Sequence, residues 1–133
     1  MNPDLAWRLT PFSSGEPKQW LNGLFKALTK ECDNSGAMGR TYRVNFDLEE
    51  IENGEDDTAY VEYDGVAEFW IVIDLRCNVG TIADYLIHEM AHVDRWIAED
   101  NGYWKEEDDH GPLWGESYAK MYRAYIKYYE ETI

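Results

Sequence analysis

Five consecutive residues, His88-Glu89-Met90-Ala91-His92, combine types and spacing that can do hydrolytic chemistry, and a third histidine follows at position 110. On a helix, positions four apart lie about 40° apart around the axis and about 6 Å apart along it, so two imidazoles so placed can grip one divalent cation. Glu89 emerges beside the first histidine, where its carboxylate can reach a water on that cation without being a ligand. Catalytic zinc takes three protein ligands and keeps an open position. The chain has three histidines in all, so His88, His92 and His110 are the expected ligands of one Zn2+ per chain, with Glu89 as general base. Glu116 and Cys77 are the other donors that could enter such a site. Tyr118 and Arg123 are candidates for substrate contact or oxyanion stabilisation. The bland alternative is an exposed helix face on which two histidines fall four apart by accident.

The motif needs a helix, and residues 81–99 read as one. Thr81 is the expected N-cap, with Asp84 three residues on in a short capping box. Ile82, Leu86, Met90, Val93 and Ile97 mark a buried face, and His88, Glu89 and His92 lie on the adjoining one. Asn101-Gly102 is a stop signal. Residues 99–109 then carry six acids against one lysine, a polar connection to His110. Gly111-Pro112 opens a last helix. On it Trp114, Tyr118, Met121, Tyr125 and Tyr128 or Tyr129 recur at steps of three or four, which reads as core, while Lys120, Arg123 and Lys127 form a separate basic row.

Upstream, Trp20, Leu21, Leu24, Phe25 and Leu28 give a single apolar stripe over 17–31, a helix with Pro17 in its first turn. Alternation predicts strands over 40–48, 58–63 and 68–76, the last two joined by a tight turn at Asp64-Gly65. Residues 47–57 hold seven acids and no base, which reads as a solvated hairpin loop without the ligand spacing of an EF-hand. An antiparallel meander is expected. The strand over 68–76 runs into the motif helix and should border the site, either as a free edge open to an extended peptide or as a fully paired interior strand. Residues 1–16, with Leu5, Trp7 and Leu9 alternating, form an N-terminal arm or edge strand. The expected fold class is α+β, with an N-terminal helix, a three-stranded mainly antiparallel sheet, the motif helix and a C-terminal helix.

At 133 residues the chain is expected to be one domain, with six tryptophans and ten tyrosines supplying much of its core. A net charge of -15 repels phosphate backbones and anionic membranes, so neither direct nucleic-acid binding nor membrane association is expected. No export signal and no run of eighteen apolar residues is visible, which makes a cytoplasmic protein the default. Cys32 and Cys77, far apart in sequence, are expected to be free thiols rather than a disulfide.

The chain resembles the SprT-like (Spartan-type) zinc metallopeptidases, small relatives of the minimal gluzincin fold. The likeness rests on Ile87-His88-Glu89-Met90-Ala91-His92, on His110-Gly111-Pro112-Leu113-Trp114, and on the order of elements from Pro17 to about Tyr125. It implies His88, His92 and His110 as zinc ligands, Glu89 as catalytic base, and a protein or peptide substrate. Members acting on DNA–protein crosslinks carry basic DNA-contacting regions or a four-cysteine zinc ribbon. This chain has neither, so that activity is not carried over. Small single-domain relatives also occur in bacteriophage genomes, which extends the resemblance to a phage origin, with the host cytoplasm or the virion as location. The alternative function is then a non-catalytic, zinc-stabilised structural or assembly protein, partnered by other virion proteins. A weaker third reading is an acidic mimic of DNA.

Overall fold

A computed structural model describes residues 15–32, 42–51, 58–102, 104–105 and 108–132. The arm expected over 1–16 therefore lies almost wholly outside the described residues, as does the centre of the acidic run, 52–57. Among the described residues three helices and three strands follow one another as α1 (Gly15–Glu31), β1 (Arg43–Glu49), β2 (Ala59–Tyr63), β3 (Glu68–Asp74), α2 (Val79–Asp100) and α3 (Pro112–Thr132). The fold class is α+β, in the expected order.

The sheet is mixed rather than a meander. Its order is β1-β3-β2, with β1 parallel to β3 and β2 antiparallel to it. Val44 pairs with Phe69 and Phe46 with Ile71 on one side of β3, and Val61 pairs with Ile71 on the other. β1 and β2 are therefore not neighbours, where a hairpin between them was expected. Alternation in β1 and β2 declares each half-buried, but it does not choose the partner. The most apolar strand, Phe69 to Ile73, takes the middle, where both of its edges are paired and Phe69, Ile71 and Ile73 are wholly buried. The tight turn between β2 and β3 forms as expected. Asp64 Oδ1 accepts from the backbone N–H groups of Val66, Ala67 and Glu68, and Gly65 takes φ +83°.

One face of the sheet carries the core. Phe25 of α1 meets Phe46 of β1 with ring centroids 5.4 Å apart, and Tyr63, Phe69 and Trp96 stack from the sheet onto α2. The predicted buried face of α2 holds throughout, with Ile82, Leu86, Met90, Val93 and Ile97 all at 0% exposure. Its start differs from the expectation. Asn78, in extended backbone, is the N-cap, and its side chain accepts from the Thr81 N–H at 2.9 Å. Thr81 is thus the capped residue, three positions inside, and Asp84 is exposed one turn further on. The stop at Asn101-Gly102 is observed, with Gly102 at φ +89°.

α3 closes the core against α1 and α2. Met121 and Tyr125 are buried, and Trp20 of α1 sits among the rings of Tyr125, Tyr128 and Tyr129. The Tyr128 hydroxyl donates to the Trp20 carbonyl at 2.9 Å by passing over Gly23, where a Cβ would collide with it. Cys32 is buried, Cys77 half-buried, and both are free. Burial pushes the Cys32 thiol far above its usual range. Among the described residues no helix is long and apolar enough to cross a membrane.

Candidate metal centre

His88 and His92 stand one turn apart on α2, and His110 sits in the turn that leads into α3. Backbone bonds from Gly111 N–H to Asp108 O and from Gly115 N–H to Gly111 O fix that turn at the helix start. The three Nε2 atoms form a nearly equilateral triangle, with His88 to His92 at 3.3 Å and His110 at 3.2 Å from each. Nitrogens bound tetrahedrally to zinc at 2.0–2.1 Å lie about 3.3–3.4 Å from one another, so the triangle has the dimensions that one such cation needs. A hydrogen-bonded imidazole pair would leave the third ring outside. Among the described residues this is the one group of three or more potential ligands brought within metal-holding distance. Neither Glu116 nor Cys77 belongs to it.

The surroundings favour the neutral imidazoles that ligate metals. Burial lowers the His88 pKa, helped by the charge of His110, and burial with the two neighbouring histidines lowers that of His92 to about 4. Glu89 is 6% exposed, and loss of solvent raises its carboxyl to about 7.

Trp114 is the part of the site that periodicity assigned to the core. Its ring lies 5.0 Å from that of His88, 5.4 Å from His92 and 4.8 Å from His110, edge-on to the last. One indole thus backs all three candidate ligands, an apolar wall of the kind that sets the dielectric of a metal site. The aromatic at the fourth position after His110 is the signal that could have flagged it.

A cleft of about 430 Å³ opens beside the triad. Glu89, His92 and His110 face it, together with Tyr60 and Val61 of β2. Its outer wall includes Arg95, whose guanidinium donates to the Trp104 carbonyl at 2.6 Å, and Lys105 and Asp109 of the loop before His110. The strand bordering the cleft is therefore β2. Of the two placements the sequence left open for β3, the structure has the fully paired interior one. Tyr118 and Arg123 do not line the cleft. Tyr118 packs behind Trp114 at 5.2 Å, and Arg123 is exposed on α3. Lys120, placed by the sequence in a basic surface row, instead reaches inward to Asp94.

Compared with protein-family models, with curated proteins and with solved structures, the chain matches none.

Proposed function

We propose that the protein is a zinc-dependent metallopeptidase of the SprT-like kind, hydrolysing peptide bonds in the cleft between β2 and α2. The observation that carries this reading is the position of Glu89: the one acid inside the motif faces the same open cleft as His92 and His110. His88, His92 and His110 would hold the metal through Nε2. Zinc in such a site supplies Lewis acidity toward a carbonyl oxygen and acidifies a water toward a pKa of roughly 7.

The chain's own groups do the rest. Glu89 accepts the proton of the attacking water on its carboxylate and delivers it to the departing amine nitrogen, exchanging base and acid roles. Among the described residues β2 has a strand on one side only, so its other edge offers backbone N–H and C=O groups to an extended peptide. Within the cleft, Tyr60, Arg95 and Lys105 are the side chains able to donate to a developing oxyanion, in place of Tyr118 and Arg123.

The rival reading, a zinc-stapled assembly protein, uses the same three ligands but has no need of a carboxylate beside an open cleft. The two separate on Glu89→Gln. The variant should keep about one zinc per chain by metal analysis while cleavage of an unfolded protein substrate falls by roughly 10²-fold or more. Turnover retained in the variant would remove Glu89 from the mechanism. A zinc-loaded wild type that cleaves no unfolded substrate would favour the assembly role.

A further inference from the structure

Asp94 lies two residues past His92 on α2, with its side chain 8% exposed. Its carboxylate is bonded from α3 at both oxygens. The buried Ser117 hydroxyl donates to Oδ2 at 2.7 Å, and the Lys120 ammonium donates to Oδ1 at 2.7 Å. Much of the remaining packing around these helices comes from apolar side chains such as Val93, Ile97, Met121 and Tyr125. Apolar attraction is non-directional and leaves a helix free to slide or turn a little. A buried carboxylate is not so tolerant, since breaking its pairing leaves an uncompensated charge.

That directionality matters because of what α3 carries. His110 lies two residues before its first residue, Pro112, and Trp114 in its first turn packs against all three histidine rings. A slip of one residue displaces a helix by about 1.5 Å and 100°, whereas metal ligands must sit within about 0.2 Å of their place. We infer that Asp94, through Ser117 and Lys120, is a positioning residue that sets the register of α3 on α2 and so delivers His110 to the metal centre. The inference rests on the three-histidine reading above and gives the last helix of that site its locating pin.

Zinc affinity, measured by competition with a chelating dye, tests it in a cycle of four proteins: wild type, Ser117→Ala, His110→Ala and the double variant. Ser117→Ala removes a single hydroxyl and should weaken zinc binding by roughly ten-fold, the lower end of what loss of an outer-shell partner costs. In the His110→Ala background it should change affinity less than two-fold, because the ligand it positions is gone. Equal losses in both backgrounds would overturn the positioning role while leaving the metal site standing. A wild type that binds no zinc, or a His110→Ala protein that binds it equally well, would overturn the three-histidine site and this inference with it. The triple variant Asp94→Leu, Ser117→Ala, Lys120→Met supplies a second measure, because it removes both charges together and leaves no buried carboxylate unpaired. It should show an altered visible spectrum when loaded with cobalt(II), and wild-type affinity and spectrum in a folded triple variant would also overturn the role.

Discussion

Single side chains around the candidate metal centre are set by burial more than by neighbouring charge. Glu89 and the two helix histidines are pushed by desolvation in opposite directions, and each is pushed toward its neutral form. Three neutral imidazole nitrogens converging at one point are what would let such a site take a cation. Elsewhere the chain stabilises charge instead. Asp74 accepts from the Arg76 backbone N–H at 2.9 Å, from Arg76 Nε at 2.9 Å and from Nη2 at 2.6 Å. The Arg76 side-chain bonds come first among the causes that hold its carboxyl well below the ordinary carboxylate range. The folded pKa is depressed, so this contribution is present above the unfolded pKa of about 4 and fades as pH falls from there toward the folded value. Asp74→Asn should therefore destabilise metal-free protein at pH 7, and the gap to wild type should narrow between about pH 5 and pH 2. Denaturant titrations at a series of pH values read this directly, and a pH-independent gap would assign the effect to packing.

At the scale of elements, three decisions put the site together. The first is the start of α2. Asn78 caps it directly after β3 and the short turn at Leu75-Arg76, so the distance from the central strand to His88 is set by the cap. Asn78→Ala should cost about 1 kcal/mol in thermal or denaturant unfolding. Thr81→Ala should cost less, because the structure uses only its backbone N–H at the cap; a larger loss at Thr81 would reverse the assignment. The second is the central place of β3, which leaves β2 at the cleft and gives the site a strand edge. The third is the seating of α3, held at one end by Asp94 and at the other by the Tyr128 hydroxyl over Gly23. Gly23→Ala must displace that tyrosine and should lose about 1 kcal/mol, the worth of a typical hydrogen bond.

For the molecule as a whole, the candidate ligands come from α2 and from the threshold of α3, so metal binding and the docking of these helices should be one event. A ligand that binds the folded state alone stabilises it by RT ln(1 + [L]/Kd), about 2.7 kcal/mol at one hundred times Kd. The melting temperature should accordingly rise with free zinc by about ten degrees over that range, return on chelation, and lose its zinc dependence in His88→Ala. A melting temperature indifferent to zinc in the wild type would exclude the site. The net charge of -15 bears on partners rather than on the fold.

How much of this was legible in advance follows from the range of the forces involved. The amino-acid sequence by itself determined the helices, the α+β class, the turn at Asp64-Gly65 and the three histidines with Glu89, because helical periodicity, turn chemistry and i,i+4 spacing are local properties written in neighbouring residues; the cap of α2 it placed three residues late, at Thr81 rather than Asn78. Only the tertiary structure decided which strand lies in the middle, that β2 and not β3 borders the cleft, that Trp114 backs the three histidines, and that Lys120 turns inward to Asp94. Those outcomes depend on partners far apart in the chain. A half-buried strand reads the same beside any neighbour, and a lysine on an amphipathic helix reads as surface until a buried carboxylate is brought against it.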